Sequence, residues 1–206
     1  MDVRGQDILI VGACDDPVVG ALVGAWWSDF GRSGKVSRDA ASMGKTGSWT
    51  LFDRVVAASW LEHQEDEVAA MRDLSTCLRS GGRLLLVVPA HEILYGQEDM
   101  RLKRYRRYGR GHLRQLLSTH GFRISRLQAF DFLGAWSWLL TARMRGRSPA
   151  SSSLSRGVRE ALVHIEALGL PVPFGRYLAA EATRAASDLA PARRITAELA
   201  PLGANL

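Results

Sequence analysis

His91 follows the apolar run at residues 83–88 and the pair Pro89-Ala90, so it stands at the carboxyl end of a segment that reads as a buried strand. Open α/β sheets hold ligands outside the carboxyl ends of their strands, and an imidazole takes or gives a proton near neutral pH. His91, with Tyr95 shortly after it, is therefore the candidate for proton transfer; a loop histidine satisfied by a backbone partner is the alternative. Asp99, Tyr105 and Arg106 can add hydrogen bonds and charge toward a substrate, arginine being suited to bidentate contact with carboxylate or phosphate. Glu62 and His63 end the preceding apolar segment and face the same rim, or else cap the helix that follows. Phe130, Phe132, Trp136 and Trp138 either line an apolar pocket over the sheet or pack in the core. His112, His120 and His164 fall on helical stretches, where surface or core-edge roles are expected. No spacing of histidines, cysteines or acids argues for a metal site.

The elements that must position these groups alternate between strand and helix, the pattern of an α/β sheet with crossover helices. Residues 7–13 read as a central strand ending at Gly12. Asp15-Asp16-Pro17 can start a helix running to about Phe30, and a brief strand is expected near Val36. Residues 52–58 form the next strand and 66–78 the next helix, with Ser80-Gly81-Gly82 expected to stop it before a strand at 83–88. A polar loop, a helix at 110–120 ending at Gly121, and a strand at 123–129 follow. The Ser-rich residues 148–155 read as a loop, 158–168 as an amphipathic helix and 177–183 as a last strand. A single domain over residues 1–185 with a tail at 186–206 is the expected organisation.

The chain has 206 residues and is 47% hydrophobic, enough to bury a core without staples. Cys14 and Cys77 give no disulfide framework, and the N-terminal apolar run is too short for a secretory segment. A cytoplasmic protein without a membrane span is expected. The net charge is +6. Much of it lies in one tract, Arg101, Lys103, Arg104, Arg106, Arg107 and Arg110, interleaved with Tyr105 and Tyr108. That tract is either a solvated face or a contact for an anionic small substrate or carrier group. Nucleic acid is the least favoured partner, because no nucleic-acid module surrounds it.

Several motifs occur in a particular order: Leu61-Glu62-His63, Arg79-Ser80-Gly81-Gly82, Val88-Pro89-Ala90-His91, Tyr95-Gly96, Asp99, Tyr105-Arg106-Arg107-Tyr108, Phe132-Leu133-Gly134 and Pro173-Phe174-Gly175. The conjunction resembles the ubiquinone-biosynthesis-like subset of class I S-adenosylmethionine (SAM) dependent methyltransferases, over roughly residues 8–185. The resemblance implies a Rossmann-like fold, a mostly parallel sheet with an antiparallel last strand, SAM as cofactor and methyl transfer to a small or lipid-like acceptor. By the same resemblance Gly12, Ala13, Cys14, Asp39, Ser59 and Trp60 stand where SAM would be held, His91 and Tyr95 where catalysis would occur, and Glu62, His63, Asp99, Tyr105, Arg106, Phe132 and Trp136 where substrate would bind. Arg104 stands where the subset usually has a histidine.

The chain departs from the family at the first strand. Ile10 stands where an acidic residue is usual, and the turn Gly12-Ala13-Cys14-Asp15-Asp16 keeps one glycine of a Gly-rich loop. The interval from Gly12 to Phe52 is also short for two strand-helix units, so one unit is expected to be missing. SAM is accordingly expected to bind weakly or not at all. Two further readings stay open: a SAM-independent catalyst of cyclisation, dehydration or rearrangement on the same fold, and a non-catalytic partner within a homo- or hetero-oligomer.

Overall fold

The computed structural model describes residues 7–12, 19–24, 36–37, 51–132, 135 and 174–185. They build a six-stranded sheet from β1 (Ile8–Val11), β2 (Val36–Ser37), β3 (Phe52–Ala58), β4 (Leu78–Pro89), β5 (Phe122–Phe130) and β6 (Tyr177–Arg184), in the order β2-β1-β3-β4-β6-β5. β1 pairs in parallel with β2 and β3, and β3 with β4, whereas β6 runs antiparallel to both β4 and β5. This is the mixed sheet with an antiparallel last strand that the motifs imply. Between β1 and β3 the described residues contain one strand, β2, at the sheet edge. The strand-helix unit expected to be missing from the short Gly12–Phe52 interval would fall among residues 13–18, 25–35 and 38–50, which lie outside the described residues.

β3 and β4 carry unbroken apolar runs because both sheet faces are covered. The pleat sends Val55, Ala57, Leu84, Leu86 and Val88 to one face, where they meet Met71 and Leu74 of helix α2 (Glu67–Cys77) and Leu113 and Leu117 of α4 (Arg110–Thr119). Val56, Ala58, Leu85 and Val87 point the other way, toward Val19 and Leu22 of the helical segment α1 at residues 19–24. All of these side chains are buried. At about 1.5–3 kcal/mol for each large aliphatic group, this two-sided burial is the main force holding the sheet.

Helix α2 starts where Asp66 caps it, its Oδ1 accepting from the Ala69 N–H at 2.9 Å. Helix α4 ends at Thr119, and Gly121 follows with φ 77°, a left-handed turn that glycine adopts without strain. The expectation that Ser80-Gly81-Gly82 stops α2 is corrected: the helix ends at Cys77, and Leu78 already pairs with Phe52. The register then jumps to Arg54 opposite Arg83, so residues 79–82 bulge out beside Asp53. Gly81 has φ 76°, and a β-carbon on Gly82 would lie 2.8 Å from the Arg79 carbonyl, so the pair serves this bulge rather than a helix cap.

The stretch read as a polar loop after β4 also has structure of its own. It holds a 3-10 turn, Glu92–Leu94, and a short helix α3, Gln97–Arg101. The helix expected to reach residue 30 is described for 19–24, while the segments 148–155, 158–168 and 186–206 lie outside the described residues.

Candidate functional site

Four strands, β1, β3, β4 and β5, leave the sheet at their carboxyl ends through residues with left-handed backbone. Gly12 (φ 93°) follows Val11, Ser59 (φ 47°) follows Ala58, His91 (φ 63°) follows Ala90, and Asp131 (φ 61°) follows Phe130. For the three that are not glycine this costs roughly 1–3 kcal/mol each, and such strain persists where the surrounding structure enforces it, often around ligand sites. The strained rim is the edge on which α/β sheets of this kind hold ligands.

Gly12 closes one end of the rim. A β-carbon there would lie 2.0 Å from the Ala58 carbonyl oxygen and 2.8 Å from Cβ of Trp60. The glycine is thus required by its contact with the end of β3. Ser59 holds that end in place, its N–H donating to the Val87 carbonyl at 3.0 Å.

From Ser59 a buried polar chain runs toward His91. Glu62 is fully buried, and burial pushes its carboxyl up to about 7; its own backbone N–H, Arg104 and the nearby Ser59 hydroxyl pull less strongly the other way. Neither Glu62 oxygen makes a well-formed hydrogen bond among the described residues, and Arg104 Nε stands 3.7 Å away. Arg104 also reaches Asp99, Nη1 to Oδ1 at 3.4 Å. Asp99, fully buried, accepts from Arg107 Nε at 2.8 Å and from the Gly96 N–H at 3.0 Å, which starts α3. Arg107 Nη1 in turn donates to the Ala90 carbonyl at 3.4 Å.

The backbone of Tyr108 is stitched to the same strand end. Its N–H donates to the Pro89 carbonyl at 2.9 Å, and its carbonyl accepts from the His91 N–H at 3.0 Å. His91 stacks on Phe174, ring centroids 4.0 Å apart and planes at 25°. Burial lowers its pKa below the ordinary value of 6.5, as do Arg107 and Arg110, while a backbone hydrogen bond with Gly175 opposes them. Nε2 is shielded from water and has no hydrogen-bond partner among the described residues. With Nε2 lacking a partner among the described residues, Nδ1 is the ring nitrogen left to face Gly175.

The motif residues named from sequence fall into distinct places. Asp99 is enclosed by two arginines. Tyr95 sits on the outer side and donates its hydroxyl to the Arg104 carbonyl at 2.7 Å. Tyr105 is exposed, its N–H bonded to the Glu62 carbonyl at 2.8 Å, and His63 is exposed with Nδ1 3.1 Å from the Lys103 carbonyl. Arg106 turns toward α2, 3.2 Å from Glu67 and bonded to the Glu65 carbonyl. Phe132 is exposed near the end of β5. Ala13, Cys14, Asp39 and Trp136 lie outside the described residues.

Sequence reasoning did not single out Arg104 and Arg107, because it read the basic run as one unit, either a solvated face or a contact for an anionic substrate. The tract is in fact divided: Arg104 and Arg107 are buried, while Arg101, Lys103 and Arg110 are exposed. The available signal was Asp99, the one acid of the polar stretch close enough to compensate them. The Pro173-Phe174-Gly175 motif also acquires a physical role. Phe174 stacks on His91, and a β-carbon on Gly175 would lie 2.3 Å from the Phe130 carbonyl oxygen.

Of the residues expected to hold SAM, Gly12, Ser59 and Trp60 are described. The Ser59 hydroxyl is buried, Trp60 is partly buried and packs against the core beside α2, and Ile10 occupies the position where the resemblance expects a carboxylate. A ribose or ammonium group needs an anionic or hydrogen-bonding partner in such a site.

No protein-family model and no curated protein matches the chain. Solved structures do. A complex between the Haloferax volcanii Trm112 methyltransferase activator and a protein described as its methyltransferase aligns with TM-score 0.50 and 10% identity, over 88% of this chain and 84% of that one. A protein from Bacillus halodurans described as a methyltransferase aligns over 88% and 93% with TM-score 0.47 and 14% identity. The [4+2]-cyclase SpnF aligns over 88% and 75% with TM-score 0.46 and 17% identity. The strand order, the antiparallel β6 and the strand-end rim together give the chain the Rossmann-like fold of the class I SAM-dependent methyltransferases.

Proposed function

We propose that this protein transforms a small organic or lipid-like substrate at the carboxyl ends of β3 and β4, with His91 as the proton acceptor, by a reaction that does not need SAM. The observation that carries the reading is His91 itself. A neutral imidazole in left-handed backbone, stacked on Phe174 and with Nε2 unengaged among the described residues, is a preorganised base. Proton abstraction at Nε2, with the substrate held by shape over the aromatic surface, suits a cyclisation, dehydration or rearrangement. The acceptor side of the rim is fully braced by Asp99, Arg104 and Arg107, whereas the described cofactor side lacks an acid.

Gly12 favours a second reading, methyl transfer from SAM, since its left-handed turn at the end of β1 is the geometry of a nucleotide-binding loop. His91 keeps the same role there, taking the proton from the acceptor. Calorimetric titration with SAM and S-adenosylhomocysteine separates the two. Absence of binding at submillimolar concentration is the expected result, and a dissociation constant in the low micromolar range, about −8 kcal/mol, would establish the methyl-transfer reading instead.

A further inference from the structure

The segment between β4 and α4 sorts its side chains in an unusual way. Ile93 is 90% exposed, Met100 59%, Tyr105 53%, Leu102 44% and Tyr95 41%, so five of the eight large hydrophobic residues exposed among the described residues lie within this one strap. Between them stand Arg101 and Lys103, both exposed. The acids of the same strap are turned to partners: Asp99 is buried, Glu92 accepts from the Gly109 N–H at 3.1 Å, and Glu98 faces Arg176 at 3.9 Å. The Glu92 and Glu98 side chains stay 57% and 37% exposed, but each is engaged by a partner, so the outward surface combines apolar tips with the cations Arg101 and Lys103 and with two paired carboxylates.

We infer that this strap docks the protein on an anionic lipid surface. Aliphatic and tyrosine side chains flanked by cations are the composition that settles at the headgroup boundary, with apolar tips below and charges at phosphate level. No described helix is long and apolar enough to cross a membrane, so the contact is peripheral. Single-stranded nucleic acid fits less well, because only Tyr95 and Tyr105 offer rings for stacking, while Ile93, Met100 and Leu102, the other three exposed apolar side chains of the strap, are aliphatic. The knot of Asp99 with Arg104 and Arg107 holds the strap rigid from behind, so docking needs no prior ordering. The strap begins two residues beyond β4, beside His91, and would set the rim against the lipid. That last step rests on the lipid-like substrate proposed above; the docking itself does not.

Co-sedimentation with vesicles of phosphatidylcholine, with and without phosphatidylglycerol, tests it with the intact chain. The protein should pellet with the anionic vesicles, much less with the neutral ones, and should be released by added salt. Ile93→Ser with Met100→Ser should weaken binding about tenfold or more, and so should Arg101→Glu with Lys103→Glu. Circular dichroism and thermal melting of these variants should match wild type, since the substituted side chains are exposed. Failure to pellet, or equal pelleting on both vesicle types, would overturn the proposal. So would self-association in sedimentation equilibrium that the Ile93 and Met100 substitutions abolish, because the strap would then cover a second copy. Vesicle binding together with tight SAM binding would refute the SAM-independent reaction while leaving the docking intact.

Discussion

The imidazole of His91 and the ring of Phe174 lie face to face at 4.0 Å, joining the end of β4 to the segment that enters β6. Burial of the ring and the nearby Arg107 and Arg110 disfavour a charged imidazole. Because the folded-state pKa is lowered, the unfolded chain binds the extra proton first as pH falls. Stability linked to His91 is therefore complete above about 6.5 and is lost below it, toward the lower folded-state value. Thermal melts of wild type and His91→Gln across this range should diverge in that direction. Activity, where His91 acts as base, should keep its full rate at neutral pH and fail only below 6.5, and His91→Gln should lower it about a hundredfold or more.

Glu62 should show the opposite slope. Its carboxyl is raised from 4.5 to about 7, so the native state holds a proton that the unfolded chain has released. The linked stability is present below 4.5 and is lost as pH rises through 7. Glu62→Gln keeps the shape without the titration. It should flatten this limb and leave the variant more stable than wild type at pH 8, by on the order of 2 kcal/mol. Denaturant midpoints at pH 5 and pH 8 for both proteins would measure it, and a wild-type limb that rises with pH would contradict the assignment.

Asp99 and Arg106 were both legible as polar motif residues, yet their environments differ and so should their substitutions. Asp99→Ala leaves Arg104 and Arg107 buried without their shared carboxylate and takes the N-terminal partner from α3, a loss of about 3–5 kcal/mol. Arg106→Ala removes a half-buried pair with Glu67 and should cost about 1 kcal/mol or less. Chemical denaturation distinguishes the two directly. A small cost at Asp99 would mean that the buried knot is not what braces the rim.

That contrast shows which information the sequence carries. The core strands were readable because Val55 to Ala58 and Leu84 to Val88 are apolar without interruption, and only a sheet covered on both faces needs that. The bulge at residues 79–82 was hidden, because a glycine pair after a helix has the same composition whether it ends the helix or bends the next strand. The division of the basic tract was hidden for a related reason. Arg104 and Arg107 differ from Arg101 only in having Asp99 within reach, and that proximity exists only once α3 has formed. The stacking partner of His91 comes from residues far along the chain, beyond any local pattern.

Gly12 provides the sharpest test of what remains of the cofactor half. Its φ of 93° and the 2.0 Å approach of a β-carbon to the Ala58 carbonyl mean that Gly12→Ala must displace the end of β1 from β3. Overpacking of 1–3 kcal/mol and the left-handed strain add, so a loss of about 3 kcal/mol or more is expected. If the glycine serves packing alone, that loss will be the same with and without SAM. A bound cofactor would instead stabilise wild type by about 2.7 kcal/mol at a hundredfold excess over its dissociation constant, and the variant by less. Thermal melts of both proteins with and without millimolar SAM read out the difference. No shift in either protein is the expected outcome, and a wild-type shift that Gly12→Ala removes would show that the turn still holds its ligand.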